Sequence, residues 1–166
     1  DYRSKYHVNE LEKILGLAKT LNPVYALELL TGKYLHESVR KFAVDCLQQA
    51  NHIEVQDYLI QLVQALKYEM FHDSYLARYL LDIAIRHPLT LGHALFWNLR
   101  SEMYNPAVQQ RYGLYLEIFL NKIGRNIRKI FEDEDALIRA LLNIANIPHD
   151  KTIKSNEEKL NLFREK

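Results

Sequence analysis

The stretch FWNLRSEMYNPAVQQRYGLYLE, residues 96 to 117, gathers residue types that could do chemistry. Its carboxylates Glu102 and Glu117 could serve as a general acid and base if the fold brought them together. They belong to different expected helices, and no partner pattern accompanies either one, so the sequence favours solvated or capping roles. The aromatic residues Phe96, Trp97 and Tyr104 could stack on a base or a sugar, but at helical spacing they favour core packing.

Other reactive residue types give no recognisable site. Cys46 stands alone within an apolar segment, which indicates a buried and unreactive thiol. The 7 histidines never occur at the four-residue spacing that places two metal ligands on one helix face. No two of the 5 glycines are near neighbours, so no phosphate-binding loop is expected. The sequence therefore predicts no catalytic, cofactor-binding or metal-binding residue.

Composition limits the class of protein. A chain of 166 residues is about one domain. The 22 lysines and arginines nearly balance 21 aspartates and glutamates, which argues against nucleic acid as a partner. No apolar run approaches the roughly 20 residues of a membrane helix. A single cysteine fits a reducing compartment, so we expect a cytoplasmic protein.

Apolar periodicity and the few helix breakers predict an all-α fold. Asn22-Pro23 and Asn105-Pro106 each place a capping side chain before the residue best tolerated at the first helical position. Gly113 and Gly124 are expected to bend one long helix. The predicted helices cover about residues 9–19, a segment from 23, then 37–50, 53–70, 74–87, 91–104, 106–130 and 133–145, with one more from 156.

A weak repeat runs through these helices. Residues 37–47 align with 74–85 so that Arg40 superposes on Arg78, and Arg111 occupies a similar place in a third copy. The string VRKFAVDCL resembles the second helix of a HEAT repeat, in which the small Ala43 permits close helix approach. The period of 38 and 33 residues between the arginines suits stacked helix pairs, so we expect a HEAT-like α-solenoid.

Four cations follow helical spacing near the end of the predicted long helix. Lys122, Arg125, Arg128 and Lys129 would form one basic stripe, which could meet anionic lipid or an acidic partner. The acidic run at 132–135 lies beside them and would partly neutralise the stripe. A solvated face is favoured, with the interaction role kept as an alternative.

Three strings carry a family resemblance. GHALFWNLRSEMYNPAVQQRYGLYLE (92–117), ALELLTGKYLHESVRKFAVDCL (26–47) and DYLIQLVQALKYEMFHDSYLARYLL (57–81) closely resemble, in the same order, the helical accessory domain of phosphoinositide 3-kinases. The similarity covers about residues 9–120. The form GHALFWNLRSEM is more similar to class I catalytic subunits than to other classes.

The resemblance implies a right-handed superhelix of antiparallel helix pairs that acts as the scaffold of a multidomain lipid kinase. It would hold lipid-binding and kinase domains of the same polypeptide in place, and it could contact a regulatory subunit. ATP and Mg would bind the separate kinase domain, and the parent enzyme would reach membranes only peripherally. The isolated domain is expected to be a monomer. A stand-alone HEAT-like binding module is the alternative.

The resemblance also divides the chain and marks its packing residues. Residues 1–150 are expected to form the accessory domain, and 151–166 a polar tail that could lead towards a kinase domain. Trp97 is expected to lock adjacent helices, while the arginines could bond between them. The expected structural signature comprises Arg40, Ala43, Arg78, Trp97, Asn105, Pro106 and Arg111.

Overall fold

The computed structural model describes residues 23–146, and the predicted helices at 9–19 and from 156 lie outside that range. Within it, regular structure is helical and no strand occurs, which confirms the all-α class. A 3-10 turn covers Leu66–Tyr68, and a π-helical turn covers Pro88–Gly92. The α-helices are α1 (Pro23–Leu29), α2 (Glu37–Leu47), α3 (His52–Asp57), α4 (Leu59–Ala65), α5 (Tyr75–Arg86), α6 (His93–Glu102), α7 (Gln109–Lys122) and α8 (Arg125–Asn146).

Side-chain caps fix where several helices begin. Asn51 Oδ1 accepts hydrogen bonds from the backbone N–H groups of Ile53 and Glu54, both at 2.9 Å, and Glu54 accepts in return from the Asn51 N–H at 3.2 Å. This capping box satisfies N–H groups that the first turn of α3 leaves without intrahelical partners. Ser74 Oγ accepts from the Ala77 N–H at 3.2 Å at the start of α5.

Two predicted helix boundaries are wrong. The predicted helix over 53–70 is divided at Tyr58, whose φ of −102° and ψ of 2° leave the helical region between α3 and α4. The helix expected from Pro106 begins instead at Gln109. Asn105 Oδ1 accepts from the Ala107 N–H at 3.1 Å, so Asn105 and Pro106 form a turn before α7.

Gly124 ends a helix that the sequence predicted to continue to residue 130. Its φ of 85° lies in the left-handed region, where glycine carries no steric penalty. The chain therefore leaves α7 after Lys122 and enters α8 at Arg125. α8 also includes the predicted helix at 133–145. Two compact units result, one ending at Ile123 and the other beginning at Gly124.

The first unit is built from helices that pack in a regular order. α1 packs on α2, α2 on α5, and α5 on α7, while α4 packs on α6 and α6 on α7. Stacked helix pairs would give this order, and the right-handed superhelix itself stays a prediction. The core is aliphatic and aromatic, and its fully buried side chains include Leu30, Leu47, Leu62, Leu80, Leu91, Tyr112, Tyr115 and Phe119.

Gly92 lets α5, α6 and α7 approach one another. A Cβ atom at this position would lie 2.9 Å from the Ala84 carbonyl oxygen and 2.9 Å from Phe119 Cζ. Neither distance is tolerable for carbon, and the Ala84 oxygen belongs to backbone that cannot turn away. The junction between these helices therefore requires glycine.

The second unit contains the 22-residue helix α8. Phe131 and Asp135 are its buried residues. No helix within residues 23–146 is long and apolar enough to cross a membrane. Large apolar side chains of α8 that remain exposed are Ile130, Leu137, Ile138, Leu141 and Leu142.

Substitution by alanine should have opposite effects on stability at Gly113, within α7, and at Gly124, just after α7 ends. Gly124→Ala places a Cβ at positive φ and should lower the free energy of unfolding by about 1 kcal/mol. Gly113→Ala is the matched control, because its Cβ would meet only Met103 Cε at an ordinary 3.5 Å. Alanine inside a helix should raise stability by about 0.5–1 kcal/mol. Urea unfolding followed by circular dichroism measures both, and equal effects would contradict this account of Gly124.

Candidate functional site

A buried ion pair joins α2 to the segment that follows α4. Arg40 is 4% exposed and Glu69 is 8% exposed. Arg40 Nε donates to Glu69 Oε1 at 2.9 Å, and Arg40 Nη2 donates to the same oxygen at 2.7 Å. A charge in a low-dielectric interior is tolerated when it is paired and hydrogen-bonded in this way.

The Arg40 guanidinium also donates to carbonyl groups near two helix ends. Nη1 reaches the Leu30 oxygen at 3.0 Å and the Tyr34 oxygen at 3.3 Å, both after α1, and Nη2 reaches the Ala65 oxygen at 3.3 Å at the end of α4. The last carbonyls of a helix have no intrahelical donor. A guanidinium, with five N–H groups in a fixed fork, can serve several of them at once.

Arg111 holds the same segment from α7. Its Nη1 donates to the Leu66 oxygen at 2.7 Å and to the Glu69 oxygen. Glu69 is therefore held through its carboxylate by Arg40 and through its backbone carbonyl by Arg111. We call Arg40, Glu69 and Arg111 the arginine clasp.

Three tyrosines of later helices donate to backbone carbonyls of earlier parts of the chain. The Tyr79 hydroxyl donates to the Leu47 carbonyl at 3.1 Å, Tyr112 to Val63 at 2.8 Å, and Tyr115 to His72 at 3.0 Å. Burial raises the pKa of Tyr79 and Tyr115 to about 12 and raises the pKa of Tyr112 as well. Burial favours the neutral phenol because a phenolate loses its hydration there, and the neutral hydroxyl is the form that donates these bonds.

The repeat alignment does not make Arg78 equivalent to Arg40. Arg78 is exposed on α5 and forms a surface ion pair with Asp73 at 2.5 Å. The hydrogen bond from Arg78 lowers the pKa of Asp73. Arg40 and Arg78, which the alignment superposes, therefore differ in burial: Arg40 is buried and Arg78 is exposed. Ala43 of the same repeat is fully buried in α2.

Trp97 lies at a different depth from the one expected. Its side chain is half-buried, and the fully buried ring at this point is its neighbour Phe96. Trp97 Nε1 donates to His93 Nε2 at 3.2 Å, and its ring meets Phe96 edge-on at 5.0 Å. These contacts join residues of α6.

The residues considered for catalysis do not converge. Glu102 is half-buried at the end of α6, and Glu117 is exposed on α7. Cys46 is buried, which confirms that prediction. In the described part of the chain, no three histidine, cysteine or acidic residues form a cluster suited to a metal ion.

The basic stripe predicted on one helix is divided. Lys122 is the last residue of α7, and the other three cations belong to the first turns of α8. The prediction that one helix carries all four cations is wrong because Gly124 ends α7 between them, and the interaction role stays a prediction. Arg128 pairs with Glu132 at 2.7 Å, so the acidic run neutralises part of the charge, as expected. The divided cations are Lys122, Arg125, Arg128 and Lys129.

A groove of about 760 Å³ opens between α5 and the end of α2 together with the turn that leads into α3. The rings of His52 and His87 stack in its lining, with centroids 4.1 Å apart. Arg86 pairs with Asp82 at 2.7 Å within α5. Two of the charged side chains that line this groove, Asp82 and Arg86, therefore neutralise each other on α5.

The chain matches a known protein family over most of its length. Residues 3–132 match the model of the phosphoinositide 3-kinase family, accessory domain (PIK domain). The chain belongs to the phosphoinositide 3-kinase family. The resemblance found in the three sequence strings is confirmed, and the arginine clasp lies entirely within the matched accessory domain.

Named relatives agree with this membership. The chain is 43% identical to phosphatidylinositol 3-kinase 1 and 39% identical to phosphatidylinositol 3-kinase 2 of Dictyostelium discoideum, each over 70% of its length. It is 34% identical to phosphatidylinositol 3-kinase 3 of the same organism over 87% of its length. The chain spans only 6%, 7% and 9% of phosphatidylinositol 3-kinases 2, 1 and 3.

The accessory domain contains buried polar contacts that the sequence did not single out. Glu69 and the three buried tyrosines were missed because each looks like an ordinary member of a helical pattern. Residues 57–81 contain three carboxylates, Asp57, Glu69 and Asp73, and nothing in the sequence marks Glu69 as the buried one.

Loss of Arg40 should destabilise the domain far more than loss of Arg78. Arg40→Leu leaves the Glu69 carboxylate buried without a cation and should cost about 3–5 kcal/mol. Arg78→Leu removes an exposed pair and should cost less than about 1 kcal/mol. Urea melts measure both changes. Adding Glu69→Leu to Arg40→Leu should recover part of the loss, and no recovery would show that the buried charge is not the cause.

Stability of the accessory domain should fall in alkali. The folded-state pKa of Tyr79 and Tyr115 is about 12, above the ordinary 10.0 of an unfolded tyrosine. The stabilisation is fully present below pH 10 and is lost as the pH rises towards 12, because the unfolded chain releases these protons first. Urea unfolding at several pH values in this window tests this. Tyr79→Phe should make the decline shallower, and an identical decline in that variant would contradict the assignment.

Proposed function

We propose that this accessory domain is a scaffold that holds lipid-binding and kinase domains of one polypeptide in place for ATP-dependent phosphorylation of inositol lipids. The chain itself would not catalyse the reaction. ATP and Mg would bind the kinase domain. The observation that carries the proposal is the arginine clasp, which ties helices far apart in sequence into one stack.

A scaffold must resist changes in the angles between its helices. Arg40 contacts residues after α1 and at the end of α4, and Arg111 reaches the same segment from α7. A guanidinium fork is directional, so sliding one helix along another would break several bonds at once. This favours a rigid stack over a flexible linker.

The relatives support a role within a larger enzyme. They are phosphatidylinositol 3-kinases, and each is more than ten times longer than the segment that this chain matches. The likeness to class I subunits, a regulatory subunit as partner, and peripheral membrane recruitment of a cytoplasmic parent enzyme are parts of the same proposal.

The polar side chains of the described region support a non-catalytic role. Arg40, Glu69 and Arg111 are engaged in packing bonds, and Glu102 and Glu117 lie on separate helices. A stand-alone binding module would share this polar architecture, so the two roles differ in what happens to a parent kinase when the stack is loosened.

Kinase assays test the scaffold role. The isolated chain should neither hydrolyse ATP nor phosphorylate phosphatidylinositol. In the full-length polypeptide, Arg40→Lys keeps the positive charge but loses the forked guanidinium that donates several hydrogen bonds. This variant should have several-fold lower lipid kinase activity at a temperature where circular dichroism shows that the enzyme is folded.

The matched control is Arg78→Lys, which alters an exposed arginine and should leave activity unchanged. Turnover that stays with the purified isolated chain would overturn the non-catalytic role. Full activity of the Arg40→Lys enzyme, despite a measured loss of stability, would overturn the scaffold role.

A further inference from the structure

Two histidines from different helices stack face to face in the lining of the groove of about 760 Å³. His52 is the first residue of α3, and His87 follows the last residue of α5. Their ring centroids lie 4.1 Å apart, and their planes differ by 7°. Both side chains are half-buried. The stack therefore joins the start of α3 to the end of α5.

The backbone is anchored at each ring. The Asn51 side chain caps α3 immediately before His52. The His87 N–H donates to the Ile83 carbonyl at 3.1 Å, and the His87 carbonyl accepts from the Gly92 N–H at 2.9 Å. Repulsion between the rings would therefore act on the two helix ends as well as on the side chains.

No free carboxylate in the groove lining offsets positive charge on the two rings. Within residues 23–146, neither imidazole forms an ion pair. Asp82 is the carboxylate of the lining, and Arg86 already pairs with it at 2.7 Å. The third charged lining residue, Arg78, is itself a cation. On α3, the Glu54 carboxylate is engaged in the capping box.

The other groups around the stack are uncharged at neutral pH. Burial raises the pKa of Tyr79 to about 12, so this phenol stays protonated. The turn Pro88–Gly92 contains no charged residue. The charged residues of α2 and the last residue of α3 do not line the groove; they are Glu37, Arg40, Lys41, Asp45 and Asp57. The uncharged lining residues are Val44, Gln48, Ala50, Tyr75, Tyr79 and Ile83. Within this lining, the two histidines are the side chains of the type that titrates between pH 5 and 8.

Protonation changes the interaction between the rings in two steps. The first proton places a positive charge over the face of a neutral aromatic ring, which is an attractive contact. The second proton places two positive charges about 4 Å apart, and this repulsion weakens its binding at least about fivefold, the value for charges in water. Histidines of an unfolded chain have no such neighbour and titrate near about pH 6.5. In acid the folded chain therefore holds fewer protons than the unfolded chain, so the stack stabilises the fold at neutral pH and loses this effect as the pH falls.

We propose that the stack of His52 on His87 is a pH-sensitive latch, which holds the start of α3 against the end of α5 at neutral pH and releases it in acid. The latch opens when both imidazoles carry a proton. Release frees the first turn of α3 from α5 and widens the groove. Neither histidine belongs to the arginine clasp, so the helices that the clasp joins stay in place. This proposal does not depend on the scaffold role.

An NMR titration of the imidazole signals in the purified 166-residue chain tests the coupling between the rings. In the wild-type chain the two rings should take up protons in two steps, the second about one pH unit or more below the first. The variants His52→Gln and His87→Gln assign the signals and each leave one ring of the stack. That ring should titrate in one step, at a higher pH than the second wild-type step. Rings that titrate alike with and without their neighbour would show that no latch exists.

A double-mutant cycle measures the latch as a contribution to stability. Urea unfolding of the wild-type chain, both single variants and the double variant should show favourable coupling at pH 8. At pH 5 this coupling should be lost or reversed, a change of at least about fivefold in the unfolding equilibrium constant. The control cycle pairs His87→Gln with His36→Gln, because His36 caps α2 outside the groove, and it should show no coupling at either pH. Equal coupling of His52 and His87 at both pH values would make the stack ordinary packing and overturn the proposal.

Hydrogen exchange locates the opening. After correction for the pH dependence of intrinsic exchange, protection of α3 relative to α7 should fall at least about fivefold between pH 8 and pH 5 in the wild-type chain. The double variant, His52→Gln with His87→Gln, has no titrating ring in the stack and should show no such fall. The same loss of protection in the double variant would assign the opening to another group and refute the latch.

Discussion

The buried pairing of Arg40 with Glu69 is the constraint on which the packing of the first unit depends. Moving two charges out of water costs several kcal/mol for each ion, and the pair is tolerated only where the remaining hydrogen-bonding groups are also satisfied. Here the other guanidinium N–H groups meet carbonyls near the ends of α1 and α4. No buried side-chain nitrogen or oxygen in residues 23–146 lacks a hydrogen-bond partner. The positions of three helices are therefore fixed together.

The same physical solution recurs at the other helix ends. Three buried tyrosines donate their hydroxyl protons to backbone carbonyls, and the guanidinium of Arg111 also donates to such carbonyls. The tyrosines are Tyr79, Tyr112 and Tyr115. Arg111, Tyr112 and Tyr115 all belong to the stretch of residues 96–117, so polar groups of that stretch join α7 to earlier parts of the chain.

Prediction from the sequence succeeded where interactions are local. The starts of α2 and α5, to within one residue, and the all-α class followed from apolar spacing. It failed where geometry is decided by a single backbone conformation. Gly124 was expected to bend a helix and ends it, because the sequence does not reveal a positive φ. The placement of four cations on one helix was wrong for the same reason, and Arg78 was matched to Arg40 because alignment does not show which way a side chain faces.

The sequence by itself determined the helical class, the starts of some helices and membership of the phosphoinositide 3-kinase family. These depend on neighbours within a few residues, or on the order of strings along the chain. Only the tertiary structure decided which arginine is buried and which tyrosines donate to distant backbone carbonyls. The reason is distance along the chain. Arg40 meets a carboxylate 29 residues away and Arg111 a carbonyl 42 residues away, and only packing of the helices brings such groups together.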